Sequence, residues 1–155
     1  MADLGREQFE AYLKGLGLGE PLVERGLVVV ENVERVLPGP ITHIFVSEYR
    51  DGEGNRNAES LWLLTKEYMS ESIGFPTEDR FDIVPVRSGI VRLEVNRDHF
   101  DFTTPTEQSR LMIDVNFSPS GSMSLSGSLK ASGENCLALT EILQEYLLPL
   151  LNAGE

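Results

Sequence analysis

Residues Ser120 to Tyr146 read SGSMSLSGSLKASGENCLALTEILQEY. Met123, Leu125 and Leu129 fall on one side of an extended chain and Ser122, Ser124, Ser126 and Ser128 on the other, because successive side chains of a strand point to opposite faces. One face suits a core, the other water or a partner. Just downstream, Leu139, Leu143, Tyr146, Leu147 and Leu150 recur at helical spacing, with Ser132 or Gly133 placed to cap the helix and Glu134 beside its positive end. Pro149 is expected to end or kink that helix. The stretch therefore predicts a half-exposed antiparallel sheet closed by a C-terminal amphipathic helix.

Upstream, Phe9, Tyr12, Leu13 and Leu16 make a first helical stripe, with Asp3 as its expected N-cap and Gly15, Gly17 and Gly19 after it. Pro21 suits the first turn of a second helix carrying Leu22, Val23, Leu27, Val30, Val33 and Leu37. The β-branched run Leu27 to Val30 also fits a strand, and the wider helical stripe favours helix. Pro38-Gly39-Pro40 then separates helices from sheet, since proline withholds a donor and biases its predecessor away from the helical region. Six strands are expected near residues 41 to 49, 60 to 71, 81 to 87, 90 to 97, 109 to 117 and 122 to 130. The expected fold is α+β: one antiparallel sheet of about six strands, packed by two N-terminal helices and the C-terminal helix. Residues 1 to 155 read as a single domain, with helical entry over 1 to 37, strands over 41 to 130 and the closing helix over 133 to 151.

The chain has 25 acidic and 13 basic residues and a formal net charge of −12. That charge opposes sequence-independent binding to nucleic acid or to anionic membranes. Cys136 is the single cysteine, so no intramolecular disulfide can form, and no apolar run reaches the roughly 20 residues that span a bilayer. A cytoplasmic location without a targeting segment is the expectation.

Asp51 to Glu59 sets oxygen-bearing side chains at alternate positions, as in a calcium loop, but Arg56 and Trp62 stand where such a loop needs glycine and glutamate. The segment reads as an ordinary hairpin connection. His43 and His99 have no histidine or cysteine neighbours at zinc-site spacing, so no metal or other cofactor is expected. Asp98, His99 and Asp101 could form a carboxylate-oriented general base, the centre of the alternative reading: a small hydrolase or metal-assisted enzyme. Cys136 falls in the first turn of the last helix, where the dipole could activate a thiol, yet Leu137 and Leu139 favour packing. Glu48, Asp82, Glu94 and Asp114 are read as solvent-face partners of Arg92, Arg110 and neighbouring residues, because the acid-x-lysine spacing of metal-dependent nucleases is missing.

What remains is a polar face. Arg92, Glu94 and Asn96, Arg110, Asp114 and Asn116, and Ser122, Ser124, Ser126 and Ser128 would form a flat hydrogen-bonding surface if their strands are neighbours. Four serines on one strand also suit an edge kept soluble.

Antiparallel strands followed by an amphipathic helix over residues 41 to 151 resemble, in organisation, the pleckstrin-homology-like fold, a bent sheet plugged by its last helix. That fold usually has seven strands. The resemblance implies binding of peptides, proteins or phosphoinositides, although Asp51-Gly52-Glu53-Gly54 does not match the basic loop used for lipid phosphates. The expected function is a non-catalytic protein-interaction or small-ligand binding module. Its expected partner is a protein, with a homo-oligomer paired through an edge strand or the N-terminal helices as a further option.

Overall fold

A computed structural model of the chain describes residues 5–50, 56–86, 89–117 and 126–153. Its elements are α1 (Arg6–Gly15), α2 (Glu20–Val36), β1 (Ile41–Arg50), β2 (Arg56–Thr65), β3 (Tyr68–Ile73), β4 (Asp82–Pro85), β5 (Ile90–Asp98), β6 (Arg110–Phe117) and β7 (Ser126–Ser132). They are followed by α3 (Asn135–Ile142), a π-helical turn (Leu143–Leu147) and α4 (Leu148–Ala153). The α+β class and the antiparallel pairing are as expected. The single six-stranded sheet is not: among the described residues there are seven strands in two sheets, ordered β1-β2-β3-β4 and β5-β6-β7.

Part of the difference lies at residues 65 to 68, where one strand was expected over 60 to 71. The Thr65 hydroxyl accepts the backbone N–H of Tyr68 at 3.1 Å and of Glu67 at 3.3 Å, closing a tight turn. A side-chain oxygen thus satisfies backbone donors that a continuing strand would pair elsewhere. Residues Ser60–Leu64 then pair antiparallel with Met69–Ile73.

The chain divides into two compact units, the first built from α1, α2, β1 without Ser47–Tyr49, and β2–β4. α1 starts at Arg6, after Gly5, whose N–H donates to Gln8 Oε1 at 2.5 Å. The expected cap, Asp3, lies outside the described residues. α2 is a helix through Leu27–Val30, so the apolar stripe outweighs β-branching there. Phe9 and Leu13 of α1, Val23, Leu27, Val30 and Val33 of α2, and Leu61 and Leu63 of β2 form one buried cluster. The helices pack closely because Gly26 has no side chain; a Cβ there would lie 2.8 Å from Leu13 Cδ1. Tyr12 extends the packing with a polar contact, its hydroxyl accepting the Val46 N–H of β1 at 2.9 Å. Gly39 turns the chain between the two prolines at φ 86°, a conformation glycine adopts without strain.

The second unit holds Ser47–Tyr49 from the end of β1, then β5–β7 and the C-terminal helix. β6 alternates without a break, burying Leu111, Ile113, Val115 and Phe117 while the residues between them are half-exposed. Leu129 and Ala131 of β7 continue the buried face, and Cys136, Leu139, Ile142 and Leu147 of the helix are buried too. Neither Ser132 nor Gly133 caps the helix through a side chain: it begins after Glu134, and Gly133 takes φ 58°. Pro149 neither ends nor breaks the helical run. The π-turn ahead of it re-registers the backbone, with the Leu148 N–H bonding Leu143 O, so Pro149 falls in the first turn of α4, where a missing N–H is tolerated.

Candidate functional site

The β5–β6–β7 sheet brings most of the expected polar face together. Its register sets Arg92 opposite Asn116 and Asn116 opposite Ser126; Glu94, Asp114 and Ser128 form the next row. Asn96, Met112 and Lys130 make a third row, and Asp98, Arg110 and Ser132 a fourth. Because directly opposed residues of an antiparallel pair point to the same side, all four rows belong to one face, opposite the buried leucines. Ser122 and Ser124 lie outside the described residues, so their place on this face is not described. Met112 and Lys130 complete it beside the expected Asn96, and strand alternation alone would have located them.

The electrostatics of the face are mixed. Glu94 and Asp114 stand directly opposite each other, a like-charge pair that costs stability, and the Ser128 hydroxyl donates to Asp114 Oδ1. Arg92 reaches Glu94 only loosely, at 3.9 Å, with both side chains well exposed. Arg110 does not serve as the partner expected for these acids. Its Nη1 donates to the carbonyls of Ser109 at 2.7 Å and Glu107 at 2.9 Å, tying the strand to the preceding loop.

Glu48 departs further from expectation. It is buried, not on a solvent face, and accepts the Ser132 hydroxyl at 2.8 Å and the Asn135 amide at 2.7 Å. Beside it, the Ser47 hydroxyl accepts the Lys130 N–H at 2.9 Å and lies 3.5 Å from Ser128 O. These residues cover the edge of β7 that faces away from β6. Every strand residue from His43 to Glu48 is buried, so the usual sign of a solvent-facing acid, alternation, is missing from this segment.

His99 Nε2 lies 3.5 Å from Asp98 Oδ1, with both side chains more than half exposed. Asp101 is turned to its own loop, accepting the N–H of Thr104 at 3.0 Å and both the N–H and hydroxyl of Thr103. Those donors hold its carboxyl down at about 2. His43 is buried, its Nδ1 2.9 Å from the Thr42 hydroxyl. Cys136 is fully buried, which fits packing and removes the exposure that a reactive thiol requires.

In the first unit, Asp82 is exposed and opposite Glu71, while the Ser60 hydroxyl donates to Glu71 Oε2 at 3.0 Å. Burial pushes the Glu71 carboxyl above the ordinary glutamate value, against the pull of that hydrogen bond. Arg25 of α2 pins the loop after β3 through Phe75 O at 2.7 Å, Glu78 O at 2.6 Å and Asp79 Oδ1 at 2.5 Å. Among the described residues no three His, Cys, Asp or Glu side chains converge as a metal site. No described helix is long and apolar enough to cross a membrane. No family model, curated protein or solved structure matches the chain.

Proposed function

We propose that this protein is a non-catalytic binding module that receives a protein partner on the outer face of β5–β6–β7. The observation that carries this reading is the register that aligns Arg92, Glu94, Asp114, Asn116 and Ser128 on one side of a sheet whose other side buries Leu111, Ile113, Val115 and Leu129. Polar side chains in rows across neighbouring strands offer donors and acceptors at strand spacing, which suits a protein surface better than a small molecule. Among the described residues, two antiparallel sheets followed by a C-terminal helix support a pleckstrin-homology-like organisation, which the sequence suggested with six strands rather than seven. Fold analogy alone assigns no ligand.

The test is capture from native lysate with the wild-type chain and with Asn116→Arg/Ser128→Arg, two changes on β6 and β7 that leave the core face untouched. A partner held by the wild type and lost by a variant of unchanged Tm supports the reading. A partner retained by both moves the site off this face. A hydrolytic activity abolished by His99→Ala would replace the binding reading with the enzymatic one.

A further inference from the structure

β7 and β5 are the two outer strands of the second sheet, and their edges differ. Ser47 bonds the outward backbone of β7, whereas no described strand is hydrogen bonded to the outer edge of β5. The direction of each β5 backbone group follows from the register. The Lys130 N–H points to Ser47, away from β6, and backbone groups along a strand alternate in direction, so Ser128 and Lys130 face outward. Residues 111, 113 and 115 of β6 therefore bond β7, residues 112 and 114 bond β5, and Glu94 and Asn96 direct their N–H and C=O groups to β6. Leu93, Val95 and Arg97 are left with outward-pointing backbone groups.

We propose that β5 is a self-association edge: two copies of the chain pair antiparallel through it about a two-fold axis at Val95. Three observations converge on that centre. The regular part of β5, beyond the register shift between Ile90 and Arg92, runs from Arg92 to Asp98, and Val95 is its midpoint. Val95 has an outward-facing backbone, so Val95 can exchange two hydrogen bonds with its symmetry mate; its side chain is 39% exposed, an apolar residue at the centre of a strand that also carries Arg92, Glu94, Arg97 and Asp98.

Charge supplies the third. An axis at Val95 sets Arg92 of each copy opposite Asp98 of the other, and Glu94 opposite Asn96, all on the polar face. Arg92 and Arg97 against Glu94 and Asp98 also make this segment neutral in a chain of net charge −12, so the contact avoids the repulsion that most other surfaces would bring. The product is one continuous six-stranded sheet whose polar face is twice as wide. This goes beyond the binding-face reading, since it uses the edge of the sheet and names a second copy as the occupant.

A single strand edge is a small interface, so the expected dimer is weak and concentration-dependent. Sedimentation equilibrium from micromolar to millimolar chain at physiological salt should show a shift from 17.2 kDa towards twice that mass. Arg92→Asp and Asp98→Arg should each weaken the dimer by about tenfold, because two symmetry-related pairs turn repulsive, and the double swap should restore it. Val95→Cys in a Cys136→Ala background should cross-link with itself under mild oxidation, whereas Arg92→Cys, far from the axis, should not. A strict monomer at millimolar concentration overturns the proposal. So does a dimer that fails to cross-link through position 95, or one in which the double swap is no better than either single. Asn116→Arg/Ser128→Arg, which disables the proposed partner face, should leave the dimer intact, so the two proposals fail separately.

Discussion

β2 and β6 solve burial in opposite ways. In β2, Ser60, Leu61, Trp62, Leu63, Leu64 and Thr65 are all buried in succession, whereas β6 alternates buried and half-exposed residues along its whole length. A strand covered on both faces gains apolar burial on each, but any polar group it carries must find a partner or give up its charge. A strand covered on one face leaves its polar side free for solvent or another protein. The first arrangement makes stability and the second makes a surface, and substitutions should separate the two.

The largest contrast is in packing. Leu13→Ala, in the fully buried cluster of the first unit, should cost about 3–5 kcal/mol in denaturant unfolding. Met112→Ala, on the outward side of β6, should cost well under half as much, and equal losses would break the distinction.

The next contrast concerns the buried carboxylate of the second unit. Glu48→Ala removes the buried carboxylate that accepts the Ser132 hydroxyl and the Asn135 amide, an expected loss of about 2–3 kcal/mol by the same measurement. A loss below about 0.5 kcal/mol would mean that water replaces the carboxylate freely.

Glu71 sharpens the comparison through pH. Burial raises its folded-state pKa above the unfolded value, so the folded chain holds that proton more tightly. Its contribution is therefore fully present below the unfolded pKa and is lost as pH rises through the folded one. Glu71→Gln should raise Tm at pH 7 and give no gain near pH 4, read by thermal melts across that range. A gain independent of pH would show that burial of the charge is not its cause.

The smallest effect belongs to the exposed face. Glu94→Lys converts the like-charge pair with Asp114 into an opposite one and should stabilise by roughly 0.2–1 kcal/mol, a gain that fades in high salt. Destabilisation by this change would place Glu94 in a contact the open face does not suggest.

Several of these features were legible in the residues themselves. The apolar stripe of α2 and the alternation of β6 each repeat a period over eight or more positions, and such repetition survives tertiary context. The break between β2 and β3 was not visible, because Thr65, Lys66 and Glu67 contain neither glycine nor proline, and a single hydroxyl makes the turn. That Pro149 does not end the helix was hidden for a related reason. Its missing donor is absorbed by a π-turn whose placement depends on how the helix packs, and no periodicity reports that. Glu48 reads like any strand acid until its neighbours Ser132 and Asn135, more than 80 residues away, are brought to it. Of the face, Arg92, Glu94, Asp114 and Ser128 could be named from alternation, while their row-by-row pairing required the register.

Local chemistry determined the α+β class, both N-terminal helices, the strand sides of β5–β7 and the amphipathic character of the last helix, because each depends on side-chain period and turn residues within a short span. Only the tertiary structure decided that there are two sheets, that Glu48 is buried and satisfied, and that the edge of β7 is covered while no described strand pairs with the edge of β5. Those outcomes rest on contacts between residues far apart in the chain, where loop closure and packing, rather than local preference, select one arrangement among many.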